Sequence, residues 1–97
     1  MAGEGVSLIV RILGEGQYEL DAEGLADLKR ADDRLVEAVA SADELAFARE
    51  FGHVLELIRG RGRVVPVDRL IESDLVLPAE GASLAEAQRL FAEHPLA

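Results

Sequence analysis

Groups able to do chemistry are sparse in this chain. Histidine stands only at His53 and His94, and cysteine is absent. Disulfides and thiolate metal sites are thereby excluded. No His-Glu-x-x-His spacing occurs, so no helical turn brings two imidazoles to one metal. His53 falls near Arg49 and Glu56, opposite an apolar stripe, and reads as a solvated side chain. His94 falls near the end of the sequence. The carboxylates are numerous but not arranged. Asp32-Asp33 and Asp43-Glu44 are chain neighbours, which point apart on a helix. General acid–base work needs carboxyl groups held in a cleft with shifted ionisation. No serine sits in a Gly-x-Ser-x-Gly elbow. No catalytic residue, cofactor or metal ligand is assigned, and the chain is expected not to be an enzyme.

Three other features invite a reading. Gly14-Glu15-Gly16 has the glycines of a phosphate-binding turn. Such turns run from a strand into a helix, whose first amides meet the phosphate. Here the loop joins two strands and sets Glu15 where a phosphate would lie, so a hairpin turn is expected. Arg59 to Arg63 is the basic cluster. Arg59 complements a helix C-terminus, while Arg61 and Arg63 are expected to be exposed and could take an acidic partner. Leu57 falls off the main apolar stripe of its helix. With Leu75, Val76 and Leu77 it either extends an apolar surface or closes a small core.

The elements that position these groups follow from patterning. Val6, Leu8, Val10 and Ile12 alternate along a strand, and the opposite face is half apolar. That combination suits a central strand or one covered on both sides. Gln17 to Leu20 returns as a second strand, with Tyr18 and Leu20 on one face. Asp21 is placed to cap a helix, and Leu20 and Leu25 stand at the ends of a hydrophobic staple. Leu25, Leu28, Ala31, Leu35 and Val39 carry that helix to about Ala40. Ser41 to Glu44 reads as a capping box for a second helix striped by Leu45, Ala48, Phe51, Leu55 and Ile58. Phe47 and Val54 widen the stripe, and Gly60 is placed to end it. The short link predicts an antiparallel helical pair. Residues 63–67 read as a short edge strand, since Pro66 has no amide to donate. Residues 68–72 read as a helical turn, and residues 73–78 as extended. Ser83 to Glu86 is another capping box, opening a final helix through Leu84, Ala87, Leu90 and Phe91. The expected fold is α+β: an N-terminal β-hairpin in a small sheet, packed on an antiparallel helical pair, then an extended segment and a C-terminal helix. Residues 1–97 read as one domain.

Composition sets the class of partner. The chain has 97 residues, 49% of them hydrophobic, and 19 acidic against 10 basic residues give a net charge of −9. A chain of that length holds a single modest core. The balance argues against nucleic acid, which wants a basic face, and against direct binding to anionic lipid. No apolar run approaches the roughly 20 residues of a bilayer span. The opening, Met1 to Val6, has no positive charge and contains Glu4, so it does not read as a secretory signal. A cytoplasmic protein is expected.

Two stretches carry a family resemblance. Ile9-Val10-Arg11-Ile12-Leu13-Gly14-Glu15-Gly16-Gln17-Tyr18-Glu19-Leu20 resembles the opening of the PspA-associated domain. Glu72-Ser73-Asp74-Leu75-Val76-Leu77-Pro78, followed by an acidic spacer and the Ser83 helix, resembles its second motif. The resemblance implies an accessory protein without enzymatic activity. Its implied partner is PspA, the coiled-coil membrane-remodelling protein of the phage-shock envelope-stress response. Recruitment to the inner face of the membrane would then come through PspA. The resemblance marks Arg11, Gly14, Glu15, Gly16, Gln17 and Tyr18, and the run Ser73, Asp74, Leu75, Val76, Leu77 and Pro78, as family surfaces. Two other readings stand beside it. One is a small-ligand sensor with Tyr18 and Arg11 in a pocket between hairpin and helices, against the simpler pairing of Arg11 with Glu19. The other is a homo-oligomer built on the half-apolar sheet face and Leu57.

Overall fold

A computed structural model describes residues 7–69 and 71–93, with the side chains of 91–93 left out. Val6 and His94, and the side chain of Phe91, lie outside the described residues. Strand β1 (Leu8–Ile12) and strand β2 (Gly16–Leu20) form the antiparallel hairpin, with Val10 opposite Tyr18 and Arg11 opposite Gln17. The turn is closed by the Glu15 amide donating to the Ile12 carbonyl at 2.9 Å. Gly14 there takes φ +82°, a conformation glycine reaches without steric cost.

Helix α1 (Ala22–Ala40) starts as predicted, with the Asp21 carboxylate accepting from the Gly24 amide at 2.8 Å. Helix α2 (Glu44–Arg61) starts differently. Its cap is Asp43, which accepts from the Ala46 amide at 3.0 Å, while Ser41 closes α1. The Ser41 capping box is thus replaced: the Ser41 amide and hydroxyl both turn back to α1 carbonyls. The two helices share the tight turn as antiparallel neighbours. The buried stripe of α2 runs through Phe47, Phe51, Val54, Leu55 and Ile58, not through Leu45 and Ala48, which are exposed. Phe47 and Phe51 stack at 5.3 Å between ring centres and fill the space between helices. Helix α2 also runs past Gly60 to a cap at Gly62. A Cβ on Gly62 would stand 2.5 Å from the Ile58 carbonyl oxygen and 3.0 Å from the Tyr18 Cβ. This close approach selects glycine there.

The remaining elements are strand β3 (Arg63–Val64), strand β4 (Leu75–Leu77) and helix α3 (Leu84–Glu93). The sheet order is β3-β2-β1-β4, with β3 antiparallel to β2 and β4 parallel to β1. The fold is therefore α+β, with a four-stranded mixed sheet and three helices among the described residues. The doubly apolar β1 lies inside the sheet, where both faces need cover. Val10, Ile12, Leu20, Leu75 and Leu77 join α1 and α2 residues, with Leu84 and Ala87 of α3, in one core. The Ser83 box forms in full: the Ser83 amide reaches Glu86 at 2.8 Å, and the Glu86 amide reaches the Ser83 hydroxyl at 3.1 Å. Among the described residues of the span 68–72, the expected helical turn does not form. Residues 66–69 instead make a tight turn, with the Arg69 amide bonded to the Pro66 carbonyl at 3.0 Å.

Candidate functional site

Residues 65–74 must carry the chain from one sheet edge to the other. Gln17 reveals the route. Its side chain lies on the sheet face shared with Arg11, away from the helices. Its amide nitrogen donates to the Ile71 carbonyl and to the Ser73 hydroxyl, both at 2.8 Å. The connection therefore forms a strap across the face opposite the helices. Gln17 is the one buried polar side chain among the described residues, at 8% exposure. Burial without those two acceptors would leave its amide unpaired at considerable cost. At the far end, the Ile9 amide donates to Asp74 Oδ2 at 2.8 Å, and the Asp74 amide donates to the Ile9 carbonyl at 2.7 Å. Asp74 thus starts the parallel pairing of β4.

The hairpin tip meets the end of α2 on the other side. Arg59 donates to both oxygens of Glu15, Nε to Oε2 at 2.9 Å and Nη2 to Oε1 at 2.7 Å. The Tyr18 hydroxyl donates to Glu15 Oε2 at 2.6 Å, and Arg59 also reaches Glu80 at 3.0 Å. The fork of Arg59, then the Tyr18 hydroxyl, hold the Glu15 carboxyl down at about 2. The same bond pushes the Tyr18 hydroxyl above its usual range, since ionising it would set an anion beside Glu15. Arg61 is engaged too, at 2.8 Å from Asp27 and 3.7 Å from Glu23 on α1. Asp27 also receives Arg30.

The residues singled out in the sequence are thus separated by the fold. Tyr18 faces the helix side and Arg11 the strap side, so the two do not share a pocket between hairpin and helices. Arg11 is exposed and stands opposite Gln17, not Glu19. Leu75, Leu77 and Pro78 are buried and Leu57 is packed partly against the core, which leaves Val76 half-buried on the strap face. The core-closing alternative describes these leucines. Gly14 and Gly16 form the turn, and Arg63 is exposed on the edge strand. His53 is exposed, 3.7 Å from Glu50. Among the described residues no group of three or more His, Cys, Asp or Glu is placed to hold a metal, and no helix is long and apolar enough to cross a membrane.

Sequence reasoning missed two features. Arg59 was read through its helix end alone, and nothing local marks a carboxylate 44 residues away as its partner. The second is a cleft of about 340 Å³ beside the strap, lined by Arg11, Gln17, Val67, Arg69, Ile71 and Glu72, with Val67 97% exposed. A valine next to Pro66 and Asp68 in a turn was the available signal.

The stretches Ile9–Leu20 and Glu72–Pro78 have distinct structural places: the hairpin with its clamp, and the lacing of β4 to β1. The family model of PspA-associated proteins matches residues 8–97. The chain belongs to the PspA-associated family. That name ties the family to PspA in an accessory role. The match of this PspA-associated chain begins with β1 and takes in every described element. No curated protein and no solved structure matches it.

Proposed function

We propose that this chain is a non-enzymatic adaptor that associates with a PspA-like coiled-coil protein in the phage-shock type of envelope-stress response. The observation that carries the reading is the family match over residues 8–97. The geometry supports it from another side. The carboxylates with the lowest proton affinity serve the fold: Glu15 is held by Arg59 and Tyr18, and Glu86 by the Ser83 backbone and hydroxyl. Their charge is used to fix loops and helix ends rather than to move protons. The adaptor works in the cytoplasm and reaches the inner face of the membrane through its partner, because a chain of net charge −9 is repelled by anionic lipid.

Titration calorimetry against the PspA protein of the same genome tests the reading. Saturable heat at micromolar concentrations supports it. No heat at high micromolar concentration, with both proteins folded by circular dichroism, overturns direct association. Light scattering on the free chain decides whether one copy or a homo-oligomer enters the complex.

A further inference from the structure

Helix α2 has a face that the core does not use. At 3.6 residues per turn, Leu45, Arg49, Gly52, His53, Glu56 and Gly60 lie on one side of it. That side is opposite Phe47, Phe51, Val54 and Ile58, which are buried. Leu45 is 83% exposed. Gly52 and Gly60 stand within the helix, where glycine is less favourable than any residue but proline. A Cβ on either would meet nothing within 4 Å, so packing within one chain does not call for glycine at these places. Among the described residues Glu56 has no ion-pair partner, and Arg49 makes only a long contact, 3.4 Å from Glu50.

This face matches itself when reversed. Laid antiparallel on a second copy, with a two-fold axis between Gly52 and His53, it sets Leu45 over Gly60 of that copy. Arg49 then faces Glu56, and His53 faces Gly52. Each of Leu45 and His53 meets a glycine, and each charge meets its opposite. Sliding the second copy by one helical turn in either direction spoils the match. Arg49 then faces a glycine, while Leu45 faces Glu56 or runs past the end of the helix at Arg61. We infer that this face of α2 docks a second copy of the chain as an antiparallel helix pair, held by two Arg49–Glu56 ion pairs. Self-complementarity selects the occupant: size and charge close together only when the same residues supply both sides, as a two-fold interface requires. The glycines let the helices approach, and the guanidinium can meet the carboxylate through two parallel hydrogen bonds. One helix face covers less than the roughly 1,200 Å² of a stable interface, so the dimer is a weak one. The inference does not depend on the adaptor reading.

Light scattering at concentrations up to about 1 mM on wild type, R49E, E56R and R49E/E56R tests it, with circular dichroism melts to show that each form is folded. The wild-type mass should rise towards two chains. R49E and E56R should each associate roughly tenfold more weakly, because each sets like charges face to face. E56R also lowers the net negative charge, so its loss could not come from repulsion between whole chains. R49E/E56R should regain wild-type association, since it restores both pairs with the signs exchanged. A second measurement uses the absence of cysteine. L45C/G60C should oxidise to a covalent dimer, and neither single variant should. Within one chain these positions are about 22 Å apart along the helix, too far for a disulfide. A one-chain mass at every concentration overturns the inference, as does association untouched by both single reversals. A folded R49E/E56R that stays weak, or no disulfide in L45C/G60C, overturns the register. If R49E/E56R does not fold, the disulfide alone decides. A free chain that stays single, with PspA binding lost in R49E and E56R, assigns the face to PspA and also overturns the inference. All of these outcomes leave the adaptor reading standing.

Discussion

Arg59 on α2 grips Glu15 at the hairpin tip through two hydrogen bonds of 2.7 and 2.9 Å, across 44 residues of chain. The contact fastens the β-hairpin to the helical pair. Through Glu80 it also fastens the loop that follows β4. A single guanidinium therefore joins three parts of the chain that are far apart in sequence.

Removing the Glu15 charge should flatten the acid limb of stability. The folded Glu15 carboxyl sits at about 2 and its ordinary value is 4.5. A depressed carboxylate stabilises above its unfolded value, and the effect fades as pH falls from about 4.5 towards about 2. Wild type should lose melting temperature through that window more steeply than E15Q. At pH 7 E15Q should melt a few degrees lower, and less so in high salt, because the pair is partly solvated. Melts by circular dichroism at several pH values measure both.

Replacing Gln17 should loosen the strap. Q17A removes both donors at 2.8 Å and leaves a gap beneath residues 71–73. A loss of about 1–3 kcal/mol is expected from urea unfolding. Hydrogen exchange should speed up in the strap before it does in α1 or α2. Exchange that rises equally everywhere would mean the strap opens only with global unfolding.

The two candidate caps of α2 give opposite forecasts. D43A removes the acceptor of the Ala46 amide and should cost about 1 kcal/mol. S41A removes only a long 3.3 Å bond to the Ala38 carbonyl and should change stability little. A larger loss for S41A would restore the box that the sequence suggested.

Gly62 should resist even alanine. The added Cβ would meet the Ile58 carbonyl at 2.5 Å, and both the helix end and β2 would have to shift. A cost of roughly 1–3 kcal/mol is expected for G62A. G60A, at a position with nothing within 4 Å of its Cβ, should be neutral or slightly stabilising. Parallel urea titrations separate the two glycines.

Local signals in the sequence carried most of the fold. Alternation in β1, the Asp21 cap and the Ser83 box each depend on neighbours within a few residues, and each stands as read. The α2 start did not, because Ser41 and Asp43 offer equivalent side chains two residues apart. Which one caps depends on how tightly α1 turns into α2, and Ala42 takes φ +56° to make that turn. The apolar stripe of α2 is rotated as well: in the first turn Phe47, stacked on Phe51, is the buried residue and Leu45 is left exposed. Long-range features were out of reach. The partner of Arg59, the strap under Gln17 and the parallel seat of β4 each join residues more than 40 positions apart. Polar residues in the family motifs looked like surfaces for the same reason, since nothing nearby reveals that Gln17 and Asp74 are spent on the chain itself.

The parallel seat of β4 also orders the assembly of the molecule in time. The β1–β2 hairpin and the α1–α2 pair are local and can close within microseconds. The contact of Asp74 with Ile9 spans 65 residues, and closing so long a loop is slow relative to local pairing. Until it closes, β1 has an open edge of unpaired amides and carbonyls beside the hairpin. A free strand edge invites pairing with another chain. The late arrival of three residues, Leu75 to Leu77, thus decides how long the newly made protein is open to aggregation.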